Sequence, residues 1–297
     1  MTPADLSVAH KFVDLPFLRM HYVEVGQGPL VVLLHGFPES WWSWRYQLEP
    51  LAKAGYRVVA PDLRGYGETG KEGPYDLDTL ATDVERFIHA LGETRAHIIG
   101  HDWGGGLAWH FASKKPERVR TLTVLNCPHP AIMRRALLAR PSLKQLRRSW
   151  YFFFFLTPLV PEWLLTRNDA EAVVRVIKAS SIDRAHCSAD ELAPFREAIQ
   201  RPGAARAMIG WYRDIVKKGL LSPLSPPVYD DITAPTLLVW GMKDPALGFD
   251  EVVPGTERLV RHLTIEQIAG SGHFVQSERP AEVNRALIGF LARSASA

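Results

Sequence analysis

The stretch that decides the fold is Ile98-Ile99-Gly100-His101-Asp102-Trp103-Gly104-Gly105-Gly106. It begins apolar and β-branched, as a buried strand does, and the residues that follow, Leu107-Ala108-Trp109-His110-Phe111-Ala112, suit a helix. Strand, sharp turn and helix in that order predict a nucleophile elbow, a strained turn that lifts one side chain above a sheet. Gly100 and Gly104 fit a turn with little room beside the raised residue. That residue is Asp102, where a serine is more usual. A carboxylate with an unperturbed pKa of roughly 3.9 is already an anion at neutral pH and needs no base before it attacks. It suits displacement at an sp3 carbon bearing a leaving group, with an ester to the protein as the intermediate. The plainer alternative is an aspartate that caps the next helix. Residues elsewhere in the chain weigh against it.

Outward from the elbow, strand and helix patterns alternate. His10–Leu15 and Leu18–Val25 read as strands joined at Pro16, and Leu30–Leu34 as a strand buried on both faces. An aromatic-rich helix is expected over Trp41–Ala54, a strand over Tyr56–Ala60 and an amphipathic helix over Asp78–Leu91. Further strands are expected at Val119–Leu125, Thr236–Trp240 and Leu263–Ile268, and a closing helix at Ala281–Leu291. This alternation predicts a mostly parallel sheet flanked by helices. Residues 129–230 show helical patterns, prolines and basic residues but no buried strand, so they predict a helical cap inserted between core strands 6 and 7. The core is then 1–128 with 231–297, and Pro223, Pro226 and Pro227 mark the return linker. Asp62 and Arg64 are expected to stabilise the loop after their strand.

The totals exclude several classes. Of 297 residues, 46% are hydrophobic and 23% charged, the balance of a globular chain able to bury a large core. A net charge of +3 makes no case for nucleic acid. Cys127 and Cys187 form neither a disulfide framework nor a zinc pattern, which suits a reducing cytoplasm. The first residues lack a secretory pattern, and no run approaches the roughly 18 apolar residues that span a bilayer. A soluble cytoplasmic protein with no nucleic-acid and no membrane partner is expected. No metal cluster and no phosphate-cradling glycine loop suggests a cofactor. Arg134-Arg135 to Arg147-Arg148 holds cations without an acid, and reads as a solvated face, with a membrane or partner site as the alternative.

Three groups in the order nucleophile, acid, histidine carry the chemistry: Asp102, Asp244 and His273. Asp244 follows Trp240-Gly241-Met242-Lys243, and His273 lies in Gly270-Ser271-Gly272-His273-Phe274, both just past a strand, where open α/β sheets gather their sites. Because Asp102 is already ionised, His273 is expected to act in the second half-reaction, taking a proton from water that attacks the ester. Asp244 would fix the imidazole and stabilise its cation. The oxyanion then forming on Asp102 needs donors, and the backbone N–H groups of Trp103 and of Phe37, in His35-Gly36-Phe37-Pro38, are the candidates.

Over its whole length the sequence resembles the α/β-hydrolase superfamily, and within it the soluble epoxide hydrolases. Gly-His-Asp-Trp-Gly-Gly at 100–105 and His-Gly-Phe-Pro-Glu at 35–39 resemble that family's nucleophile and oxyanion signatures. Ser149-Trp150-Tyr151 and Trp211-Tyr212-Arg213 match the places of two cap tyrosines that hold an epoxide oxygen in the family. The resemblance implies an α/β-hydrolase fold, a small apolar epoxide and water as reactants, no cofactor and no metal, and a monomer or homodimer. Tyr151 and Tyr212 would supply protons, since a phenol with pKa near 10 still holds one at neutral pH. His35, Pro38, Trp103 and Phe274 are expected around the substrate, His101 just behind the nucleophile, and Phe152–Phe155 along an apolar tunnel.

Dehalogenases acting on haloalkanes or haloacetates share the acid nucleophile and are the alternative. The former usually carry Asn where Phe37 stands; fluoroacetate enzymes carry Arg in place of Trp103 and Gly106 and a His-Trp pair in place of Trp150-Tyr151. Those departures favour the epoxide. A non-catalytic ligand-binding relative is a third reading, opposed by the presence of every expected catalytic group.

Overall fold

The apolar runs become one eight-stranded sheet in a computed structural model that describes residues 6–216 and 228–295. The strands are β1 (Ala9–Leu15), β2 (Leu18–Val25), β3 (Leu30–Leu34), β4 (Arg57–Pro61), β5 (Ala96–His101), β6 (Val119–Leu125), β7 (Thr236–Gly241) and β8 (Leu263–Ile268). They lie in the order β1-β2-β4-β3-β5-β6-β7-β8. β1 and β2 are antiparallel to each other and β2 to β4, while every later pairing is parallel. Unbroken runs such as Leu30–Leu34 are buried throughout, because helices cover a parallel sheet on both faces.

Around the sheet pack α1 (Leu48–Lys53), α2 (Leu77–Ala90) and α3 (Asp102–Lys114). Asp76 accepts the Thr79 N–H at 3.1 Å and so starts α2 a residue earlier than its apolar spacing suggests. The helix expected over Trp41–Ala54 divides: Trp41–Trp44 is a 3-10 turn, and the α-helix begins only at Leu48. Trp41, Trp42 and Trp44 are all buried, and Arg45 donates to the Trp42 carbonyl, so side-chain packing overrides a continuous helix.

Between β6 and β7 the described residues hold helices α4 (Pro130–Arg134), α5 (Leu143–Arg148), α6 (Trp150–Phe155), α7 (Val160–Ser180), α8 (Ala189–Gln200) and α9 (Ala204–Ile215), and no strand. α7 is interrupted at Arg167–Ala170, where Asn168, Asp169 and Ala170 have φ of 50°, 55° and 52°. Pro223, Pro226 and Pro227, expected as the return linker, lie outside the described residues. The chain closes with α10 (Phe249–Val252), α11 (Val275–Glu278) and α12 (Pro280–Ala295). Asp62 accepts N–H bonds from Trp41 and Glu68, both at 3.0 Å, and Arg64 grips Asp83 through two bonds of 2.6 and 2.8 Å, which fixes the loop after β4. No helix among the described residues is long and apolar enough to cross a membrane.

Candidate active site

β5 ends where Asp102 begins α3, and Asp102 takes a positive φ of 49°, the left-handed backbone that strand-to-helix reversal requires. The turn is tight enough to exclude side chains. A Cβ on Gly100 would stand 2.3 Å from the Gly104 carbonyl oxygen, and one on Gly104 would stand 2.2 Å from that of Leu34. Asp102 therefore projects from a site that only glycines on either side can form.

The two Asp102 oxygens have different surroundings. Oδ1 accepts the Phe37 N–H at 2.8 Å, whereas Oδ2 lies 3.5 Å from His273 Nε2. Burial alone would raise the Asp102 pKa, but the His273 and His101 imidazoles and the Phe37 N–H outweigh it and hold the carboxyl below its usual value. Trp103, whose N–H opens α3, belongs to the first helical turn, where N–H groups have no acceptor within the helix.

His273 is held from behind. Its Nδ1 lies 2.7 Å from Asp244 Oδ2 and its backbone N–H donates to the Ser180 carbonyl, at the end of α7, at 2.9 Å. Burial opposes the imidazolium, yet Asp244 and Asp102 together push the His273 pKa well above its ordinary value. Asp244 is itself saturated: Oδ1 accepts from the N–H groups of Ala246 and Leu247 at 2.8 and 3.0 Å, and Oδ2 accepts from Asn126 Nδ2 at 2.8 Å. Asn126, whose Oδ1 also accepts the Gly241 N–H at 2.8 Å, is a site residue that the sequence reading did not single out. The available signal was an Asn directly after a buried strand, a residue type that tolerates its φ of 41°.

His101 stands behind the pair. Its Nδ1 is 2.8 Å from Glu39 Oε2 and its Nε2 is 2.9 Å from the His273 carbonyl oxygen. Glu39 also accepts the Gly36 N–H at 2.9 Å and the Ser43 hydroxyl, so one buried carboxylate fixes both the Phe37 loop and His101. Burial would raise the Glu39 pKa, but His101 and Ser43 outweigh it and keep the carboxyl low.

Over Asp102 lies a cavity of about 360 Å³ lined by Phe37, Asp102, Tyr151, Tyr212, His273 and Phe274 and by apolar side chains of α6 and α7. The Tyr151 and Tyr212 rings are 6.2 Å apart, nearly perpendicular. Burial, reinforced by the Asp102 anion, raises both phenols well above their usual pKa. Of the expected Phe152–Phe155 run, Phe154 and Phe155 line the same space, but buried Phe152 and exposed Phe153 do not. Of the expected pocket residues, Phe274 lines the wall and His35, Pro38 and Trp103 do not. His35 is fully buried, with Nδ1 2.9 Å from the Gly36 carbonyl oxygen and Nε2 accepting the Leu63 N–H at 3.1 Å. Pro38 is buried after a cis bond to Phe37, and Trp103 sits against the rings of Tyr212 and Phe152, 4.9 and 6.0 Å away.

Residues 29–280 match the family model described as alpha/beta hydrolase fold. The chain belongs to the α/β-hydrolase family. Among α/β-hydrolases it is 38% identical to the AB hydrolase superfamily protein YfhM of Bacillus subtilis, over 95% of this chain and 97% of that one. It is 38% identical to Epoxide hydrolase 3 of Xenopus tropicalis over 92% of this chain and 75% of that one, and 37% identical to human Epoxide hydrolase 4 over 92% and 76%. The solved structure of a Bacillus megaterium epoxide hydrolase in complex with an inhibitor aligns with a TM-score of 0.87 at 28% identity, over 95% of this chain and all of that one. These relatives place this α/β-hydrolase in the epoxide hydrolase branch.

Proposed function

We propose that the chain hydrolyses epoxides to vicinal diols, with Asp102 as nucleophile and no cofactor. The observation that carries this reading is the pair of phenols, Tyr212 buried and Tyr151 partly so, in the wall of the cavity that also holds Asp102 and His273, where their raised pKa keeps them protonated. A displacement that generates an alkoxide needs such acids; release of a stable halide ion does not. The relatives named above point the same way.

Asp102 Oδ2 attacks one epoxide carbon, the carbon–oxygen bond to that carbon breaks, and a phenol gives its proton to the departing oxygen. The imidazolium of His273, favoured while two carboxylates flank it, restores the phenol's proton. Ester formation removes the Asp102 charge, so His273 becomes a neutral base. It then takes a proton from water, whose oxygen bonds to the ester carbon. Negative charge grows on Oδ1, where the Phe37 N–H already donates and the Trp103 N–H is the second candidate. Collapse expels the second hydroxyl of the diol and restores the Asp102 anion and the His273 cation. In this reading residues 129–230 form the cap, and 1–128 with 231–297 the core.

The deciding test follows styrene oxide to its diol, with haloalkane and fluoroacetate controls. Diol without halide, lost in Asp102→Asn, is the expected result; halide without diol would overturn the proposal. His273→Gln should form the ester but not release it, leaving a protein heavier by one epoxide in intact mass.

A further inference from the structure

We propose that the face around the cavity mouth docks on the surface of an anionic lipid bilayer. α7 begins with Val160, Trp163 and Leu164 all exposed while Pro161 and Leu165 are buried, and the one acid among them, Glu162, is paired with Arg213. Exposed apolar side chains gathered at one helix start and rimmed by charge mark an interaction surface. Other exposed apolar side chains lie on α5, α6 and just before α7: Leu143 is 77% exposed, Trp150 63% and Leu159 78%, with Phe153 also open, beside 59% for Trp163 itself. Trp150 and Leu164 line the cavity as well, so exposed apolar surface on α6 and α7 leads into it.

Charge selects the occupant. From His129 to Pro161 there is no Asp or Glu, against Arg134, Arg135, Arg140, Lys144, Arg147 and Arg148. Lys144 and Arg148 share a single carboxylate, Glu251, at 3.8 and 3.2 Å, Glu162 is taken by Arg213 and Glu257 lies near Arg135, so cations outnumber carboxylates on these elements. The Arg167 guanidinium lies 4.3 Å over the Trp163 ring, a cation beside an aromatic group as in interfacial anchors. A second copy of the chain would set these cations against one another. Anionic headgroups over acyl chains complement both the charge and the apolar surface. Apolar substrates partition into such a layer, so docking would bring the mouth to where they concentrate. Only this last step rests on the epoxide reading.

The test is co-sedimentation of the full chain with phosphatidylcholine vesicles, with and without phosphatidylglycerol. Binding should require phosphatidylglycerol and weaken as salt rises. Lys144→Glu with Arg147→Glu, and separately Leu159→Ser with Trp163→Ser, should each weaken it by about tenfold or more. All four residues are exposed, and unchanged melting temperatures will confirm folding. Failure of the wild-type chain to bind, or variants that bind as it does, would overturn the proposal. So would a concentration-dependent dimer that the same variants dissolve. Vesicle binding needs no turnover: binding without diol formation would count against the epoxide reading alone, and diol formation without binding against the docking face alone.

Discussion

In the proposed reaction the two oxygens of Asp102 divide the labour. With Oδ1 held by the Phe37 N–H, Oδ2, facing His273, is the oxygen proposed to attack. Water would then enter at the ester carbon, so one turnover in heavy-oxygen water should yield diol carrying an oxygen taken from the protein, with label left in Asp102. On the same proposal His273 sets the pH behaviour. With only Asp244 beside it in the ester, its base form is lost on acidification, so ester should accumulate at low pH while its formation persists, as rapid quenching with intact mass would show. Stability runs the other way. The folded pKa of His273 is raised, so its contribution is complete below the unfolded value of about 6.5 and is lost as pH rises through the folded value. Melting curves should show the advantage of wild type over His273→Gln present near about pH 6 and shrinking in alkali. Asn126→Leu removes a bond to a buried charged group, and should lower the ester-hydrolysis rate by about tenfold or more while sparing ester formation. Asp102, Asp244 and His273 were legible because the order nucleophile, acid, histidine gives each post-strand position a role; Asn126 also follows a strand, but no motif ties it to Asp244, 118 residues away.

At the scale of elements, the elbow is where sequence and structure agree most closely, because its constraint is local. A methyl group at Gly104 would collide with the backbone oxygens of Leu34 and His35, at 2.2 and 2.5 Å, and neither can rotate aside. Gly104→Ala should cost about 3 kcal/mol in urea unfolding, and more in activity than in stability. β6 and β8 span the residues expected of them, though for different reasons: β6 is buried apart from Arg120, whereas β8, at the sheet edge, is exposed from Thr264 to Gln267. The helix expected from Trp41 fails for the opposite reason. Its packing is decided by Glu191, whose carboxylate takes Arg45 and Tyr46 and whose carbonyl takes the Trp42 indole N–H, and no local pattern carries that information. The break in α7 likewise has no glycine or proline to mark it; Arg196 and Gln200 of α8 hold Asp169 there.

Across the whole molecule, Arg45 and Glu191 tie the sheet side to the helical insertion through side chains that are 0% and 8% exposed. Glu191→Ala leaves a buried guanidinium without that carboxylate, and should destabilise the chain by about 3 kcal/mol in denaturant titration. A second tie has a different meaning. α7 ends on the backbone of His273 itself, and Glu278 accepts N–H bonds from Ile182 and Asp183 on one side and Gly272 on the other. A roof fastened to the base in this way is a fixed aperture, not a swinging door. If His273 acts as proposed, widening the aperture for a bulkier guest would drag on the group that releases it. On that proposal size selection and turnover rest on the same few hydrogen bonds, and a bore enlarged from its lining side chains should keep its chemistry where one enlarged by loosening the roof should not.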